Sequence, residues 1–387
     1  MSAPEVVILG AGIMGASTAW HLARRGVRRI LLLDRGPRAG AGSTTRATGG
    51  FRAQYATAIN VRLSLLARAQ LQTFERDTGI APGYAPHGYL WLAETERELG
   101  ALAEARRVQH QAGLCEAEGV TPDDILRLNP ALAPDGILGG AWCPLDGFLR
   151  PADMLAGYLA AAERLGARVS WGAEATGLEL GDGGRVAAVR TGSDRIACGA
   201  AVNALGPWAA SIMKGTGFTL PVTPLRRQVA STMPTDALPA TMPMTIFVGD
   251  GFHLRVRDDR VLLLWPTPGV PGRPFDDSVE PAWVDAVVAK AHARLPPLRE
   301  VQVDRSACWA GLYEVSPDKH AILGPVPGVA NLFLINGSSG HGVMHAPALG
   351  RLLAEIVCDG HACSLDVRPL RPERFAEGDL NPVSELL

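Results

Sequence analysis

The residues best placed to do chemistry stand at the start of the chain. Val6-Val7-Ile8-Leu9 is an apolar strand that runs straight into the G-x-G-x-x-G turn Gly10-Ala11-Gly12-Ile13-Met14-Gly15. Gly10 permits the tight turn, Gly12 lets a pyrophosphate approach the backbone, and Gly15 lets helix and strand pack closely. The helix behind the turn offers unpaired N–H groups and a positive dipole end to phosphates. A second strand, Ile30-Leu31-Leu32-Leu33, ends in Asp34 followed by Arg35, with Asp34 19 residues past Gly15. A carboxylate about 20 residues on is the group that grips an adenosine ribose. These residues imply a bound adenine dinucleotide.

Other constellations are weaker. His341 and His345 stand four apart, like a metal pair on a helix. No Glu adjoins His341, and Gly342 and Pro347 are expected to interrupt a continuous helix there, so no metal site is expected. No Ser-His-Asp order, G-x-x-x-x-G-K loop or zinc spacing is present.

Composition bounds the rest. A chain of 387 residues, 47% hydrophobic and 20% charged, suits a soluble globular protein of about two domains. A net charge of −2 gives no electrostatic case for nucleic acid or acidic membranes. The six cysteines form no C-x-x-C pair, which fits reduced thiols. The glycine turn begins within ten residues of Met1 and no apolar run would span a bilayer. The expectation is a cytoplasmic protein with no membrane span.

The elements must position this turn. A helix follows Gly15 and stops at Gly26. A small-residue loop covers 40–50, and a helix is expected over 60–77. From about Pro82 the pattern changes. Gly88-Tyr89-Leu90-Trp91-Leu92 reads as a strand of a different sheet, followed by a helix over 94–112. Pro151 opens a helix through Leu165, Val169-Ser170-Trp171 returns to the first sheet, and 174–190 makes a hairpin. Ala200–Ala204 is a further buried strand. A β-rich stretch over 221–305 is interrupted by a helix over 281–295. Leu332-Phe333-Leu334-Ile335 is a strand, and a helix covers 347–358. The expected fold is α/β, α+β overall. A Rossmann-type dinucleotide-binding domain (1–84, 148–220 and 310–387) is interleaved with a second domain on a mixed β-sheet (85–147 and 221–309). A simple linear pair of domains stays open.

Four segments in order match a known family: the turn Gly10–Gly15, the loop Gly42-Ser43-Thr44-Thr45-Arg46-Ala47-Thr48-Gly49-Gly50-Phe51-Arg52, the strand end Asn203-Ala204-Leu205-Gly206-Pro207-Trp208, and a C-terminal run. That run is Trp309-Ala310-Gly311-Leu312-Tyr313-Glu314-Val315-Ser316-Pro317-Asp318, then Asn336-Gly337-Ser338-Ser339-Gly340-His341-Gly342-Val343-Met344. The chain resembles the FAD-dependent amine and amino-acid oxidoreductases of the D-amino-acid oxidase group, near sarcosine and glycine oxidases, sarcosine oxidase β-subunits and two-subunit proline dehydrogenases.

The resemblance implies FAD, with hydride passing from a substrate α-carbon to flavin N5, hydrolysis of the imine, and electrons delivered to O2 or another acceptor. It implies that Gly10, Ala11, Gly12, Ile13, Met14, Gly15, Asp34 and Arg35 hold the adenosine half. It assigns Ser43, Thr44, Arg46, Gly49, Gly50, Ala175, Ala204, Gly206, Trp208 and Gly311 to the rest of the cofactor. Gly337, Ser339, Gly340, His341, Gly342, Val343 and Met344 would present N–H groups to the charge that reduced flavin carries. Arg52 is the candidate carboxylate anchor, because guanidinium pairs bidentately with carboxylate. His253 could orient substrate or take a proton, Tyr313 could line the pocket, and His341 could bond the ring.

Departures from the resemblance matter. Covalent-flavin members carry a cysteine where Gly311 stands, and Cys308 is out of register, so non-covalent FAD is expected. Met344 replaces a carboxylate-binding lysine, and no lysine in the second-domain strands corresponds to an oxygen-activating one. The alternatives are an FAD-dependent 2-hydroxy acid or polyol dehydrogenase, the flavin subunit of a larger complex, and an NAD-only dehydrogenase. The expected partners are a small amine or amino acid and an electron acceptor, with oligomers possible.

Overall fold

A computed structural model describes residues 3–192, 194–268 and 273–383. A six-stranded sheet has the order Ile322–Val326, Val329–Asn336, Ala200–Asn203, Val6–Leu9, Ile30–Asp34, Arg168–Trp171. All neighbours are parallel except the first pair. The sheet is therefore assembled from three separate stretches of chain. Its central strand explains its own burial. Val6 and Ile8 join the helix-side core, while Val7 and Leu9 join the core under the antiparallel sheet on the other face. A strand covered on both faces needs a continuous apolar run, and Val6–Leu9 supplies one.

The helix side carries Ile13–Arg24, Pro151–Arg164 and Gly342–Asp359. Ser17 Oγ donates to the Ala346 carbonyl at 2.8 Å, where the first and last of these helices meet. The opposite face is covered by strands Ala175–Leu180, Val186–Thr191 and Asp194–Ala197. The expected hairpin thus gains a third strand.

An eight-stranded sheet draws on Tyr89–Ala93, Glu118–Val120, Gly139–Cys143, Thr223–Ser231, Met244–Phe247, His253–Arg257, Arg260–Leu264 and Trp309–Val315. Register fixes which side chains share a face. Ile246 opposes His253, His253 opposes Leu264, Leu264 opposes Val229, and Arg227 opposes Gly311. Side chains alternate along a strand, so the intervening Leu254, Leu263 and Ala230 face the other way. They pack with Trp283, Val284 and Val287 of the helix Pro281–Arg294.

Three expectations change. The helix over 60–77 divides into Ala58–Leu71 and Phe74–Thr78. At the break, the Thr73 hydroxyl bonds Asp77 Oδ2 at 3.0 Å, and a β-branched hydroxyl residue competes well with helix continuation. The last helix starts at Gly342 and runs through Pro347. The proline forfeits one N–H bond near the helix start, and buried Leu349, Leu352 and Leu353 hold the helix against the core. Finally, Trp309–Val315 hydrogen-bonds as the edge of the eight-stranded sheet, so that sheet extends past residue 310. No helix among the described residues is long and apolar enough to cross a membrane.

Candidate functional site

A cavity of about 450 Å³ lies between the C-terminal ends of the parallel strands and the inner face of the eight-stranded sheet. That is where open α/β sheets hold ligands. At one end lies the glycine turn. Gly10 has φ +99°, and a Cβ there would sit 2.5 Å from the Ala204 carbonyl oxygen. Asp34 accepts from the Ala11 and Gly36 amides, both at 2.8 Å. Thr44 Oγ1 accepts from the Ile13 amide at 3.1 Å. The Gly12 and Met14 amides donate to no group among the described residues. They stand at the helix N-terminus with the cavity before them, which fits a pyrophosphate. Arg35 stacks on Trp208 at 4.0 Å.

The middle is the loop 42–52, and the second sheet straps it down. Trp309 Nε1 donates to the Arg46 carbonyl at 2.8 Å, and Arg46 Nη1 donates to the Ala310 carbonyl at 2.9 Å. Arg46 also pairs with Asp277. Arg255 Nη1 donates to the Thr48 carbonyl at 2.7 Å and the Gly49 carbonyl at 3.3 Å. Sequence reasoning missed Arg255, whose one available signal was its place two residues after His253, on the same strand face.

The far end is made of buried and half-buried side chains. Arg52 is 5% exposed. Its guanidinium lies over Tyr55 at 4.6 Å and Trp91 at 4.9 Å. Arg52 Nη2 is 3.2 Å from His341 Nε2. Arginine only donates, so Nε2 accepts and the His341 proton sits on Nδ1. Burial, then Arg52, hold His341 neutral with a pKa well below the usual histidine range. His253 Nδ1 donates to the Gly251 carbonyl at 2.8 Å, leaving Nε2 as an acceptor. Burial above all pulls His253 down to about 4. Tyr55 donates to Met344 Sδ at 3.0 Å, and burial pushes its hydroxyl up to about 12.

Behind this shell, Asp146 accepts from the Ala53 amide at 2.7 Å, and burial raises it to about 6. Ser64 Oγ donates to the Arg52 carbonyl at 2.7 Å, so at 2.9 Å it accepts from His345 Nε2. His341 and His345 therefore both have Nε2 committed to protein partners. Among the described residues no group of three or more His, Cys, Asp or Glu side chains is gathered as for a metal.

Most of the residues singled out from sequence converge on this one cavity. Gly15 and Gly337 do not line it. A Cβ at Gly15 would lie 2.0 Å from the Gly10 carbonyl oxygen, so its place is in turn packing. The cavity also takes in residues the sequence did not single out for it: Arg227, Trp265, Glu314 and Lys319. Glu314 is buried, and burial raises it to about 7. Lys319 lies in the turn after the last strand of the eight-stranded sheet, with φ +59°.

A dinucleotide turn opening into a cavity roofed by a second sheet is the arrangement of a dinucleotide-dependent oxidoreductase. The chain belongs to the DAO family, described as FAD dependent oxidoreductase, whose profile matches residues 5–356. It is therefore an FAD-dependent enzyme. Among solved structures, an L-proline dehydrogenase from P. horikoshii is similar, with a TM-score of 0.90 and 26% identity, covering 98% of this chain and 100% of that one. Glycine oxidase from Geobacillus kaustophilus is 28% identical in sequence over 91% of this chain and 92% of its own. Its solved structure has a TM-score of 0.84 at 25% identity, covering 96% of this chain and 99% of that one. The mitochondrial dimethylglycine dehydrogenase of Mus musculus is 28% identical over 96% of this chain, which spans 44% of that relative.

Proposed function

We propose that this protein oxidises the CH–NH bond of an amino acid or N-substituted amino acid. The observation that carries the proposal is the far end of the cavity, where a buried Arg52 stands beside two histidines that are both held neutral. A guanidinium so placed pairs bidentately with a substrate carboxylate. Oxidising a hydroxyl needs a base near neutral pH. Beside Arg52, His253 at about 4 and His341 well below its usual range are too weak for that task, and Glu314, raised to about 7, is tied to the Ser338 amide at 3.4 Å next to Gly206, among the residues expected to hold the cofactor. An amine brings its own lone pair, so the site has only to orient it. His253 Nε2 accepts an amine N–H, while Tyr313 and Trp265 wall the chamber and exclude water. Relatives named glycine oxidase and dimethylglycine dehydrogenase support this reading.

Bound FAD supplies the acceptor for the α-carbon hydride. Gly10–Met14, Asp34, Thr44, Gly49, Gly50 and the loop 339–344 would hold it, with the six-stranded unit as the cofactor-binding domain and the eight-stranded one as the substrate domain. Gly311 lines the cavity and Cys308 does not, which supports non-covalent FAD. The electrons would then be delivered to O2 or another acceptor. Six free cysteines fit a reducing compartment such as the cytoplasm.

The test is Arg52→Met. The variant is expected to keep its flavin and lose about 100-fold in the rate of flavin reduction per unit of amino acid, as for truncating one partner of a buried charge pair. An unchanged rate would remove Arg52 from the site.

A further inference from the structure

Two adjacent arginines on the strand Thr223–Ser231 have opposite surroundings. Arg226 pairs with Asp276 and Glu280. Arg227 faces the cavity, opposite Gly311, and pairs with no carboxylate among the described residues. Its Nη1 donates to two carbonyls, Thr267 at 2.7 Å and Arg226 at 3.3 Å. Its Nε and Nη2 donate to nothing among the described residues. Its guanidinium lies 5.7 Å from the Tyr313 ring. Burial pulls Arg227 below the ordinary arginine range. Arg227 is half-buried, and a cation drawn partly out of water without a counter-charge carries a cost that an anion entering the cavity relieves.

The position of this cation matters as much as its charge. His253 lies in the field of both Arg52 and Arg227. Register places Arg227 on the same sheet face as His253, and Arg52 lines the same cavity. A simple amino acid has one carboxylate, which Arg52 takes. A second unmatched cation would then only repel the ammonium form of the substrate. A ligand with a carboxylate at each end satisfies both cations and keeps its nitrogen between them.

We infer that Arg227 binds a second carboxylate, so that the preferred substrate is a dicarboxylic amino acid or an N-(carboxyalkyl) amino acid. The inference rests on the reading that Arg52 holds the first carboxylate in a CH–NH oxidoreductase. The geometry sets the preference through charge-assisted hydrogen bonds, with no new chemical step.

The experiment titrates the holoenzyme with glutarate and with butyrate, which are redox-inert and differ by one carboxylate. Binding is read from the flavin spectrum and from the shift in melting temperature. Wild type is expected to bind glutarate about 10- to 100-fold more tightly. Arg227→Met is expected to erase that preference, and Arg227→Lys to keep part of it. Equal binding by wild type would overturn the inference, as would a preference that survives Arg227→Met. A preference lost in Lys319→Met and kept in Arg227→Met would overturn it too, placing the second carboxylate at Lys319. The melting shift needs no turnover. If no amine reduces the flavin, the catalytic reading falls while the Arg227 site is still decided.

Discussion

The two ends of the cavity are built on different principles. The adenosine end is backbone: a glycine turn, two amides without a partner among the described residues, and one carboxylate that ties the turn together at 2.8 Å. Most of its parts come from residues 10–50 and are close in sequence, with Ala204 and Trp208 joining from farther along the chain. The substrate end is side chains from six distant stretches: Arg52 with Tyr55, Trp91, Arg227, His253, Tyr313, and His341 with Met344. There, burial keeps both cavity histidines neutral and leaves Arg227 without a carboxylate. One end recognises a constant cofactor by shape. The other sets chemistry by the charges it leaves unmatched. The difference predicts that damage at either end should be separable.

The largest separation comes from Gly10→Ala. The new Cβ meets a carbonyl oxygen at 2.5 Å in a left-handed conformation. FAD affinity is expected to fall about 100-fold, measured as flavin retained after gel filtration. Retention equal to wild type would show that the turn does not hold the cofactor. Arg52→Met is the mirror experiment, expected to spare flavin content and lose substrate.

Asp34→Asn should act more gently. It removes the charge on which the Ala11 and Gly36 amides converge, and about a 10-fold loss of FAD affinity is expected by isothermal titration, with amino-acid binding to the loaded enzyme unmoved. A change in substrate binding instead would break the division of labour.

Acid stability reports mainly the substrate end. His253, His341 and His345, with His21 and His320 elsewhere, all have folded-state pKa values below the unfolded one because burial disfavours their charge. Below about pH 6.5 the unfolded chain binds more protons than the folded one, so stability falls with pH. Glu314 and Asp146, raised to about 7 and about 6, work in the opposite direction over part of that range. Five histidines outweigh two carboxyls. The melting temperature is expected to drop by several degrees from pH 7 to pH 5, and a rise would contradict the neutral-histidine assignment. The smallest effect is expected from Trp208→Ala, which removes an exposed cation–π contact with Arg35 and should weaken FAD by about 2- to 5-fold.

The same contrast governs what the sequence disclosed. The turn, Asp34 and the loop 42–52 were legible because backbone motifs are local and carry their glycines with them. Arg52 was legible because it closes that loop. Arg227 and Arg255 were not, since a strand residue's facing depends on register with neighbours far away in the chain. The expected helix break at Pro347 failed because a packed apolar face outweighs one lost hydrogen bond. The 310 boundary fell inside Trp309–Val315 because that strand finds its partner at 223–229, a pairing no local signal announces.

The most direct measurement is the visible spectrum of the purified protein, before and after anaerobic addition of matched amino acids and 2-hydroxy acids. The protein is expected to be yellow, with a flavin band that collapses with at least one amino or imino acid and persists with the hydroxy acids. A colourless protein, or flavin bleached by hydroxy acids and not by amines, would contradict it.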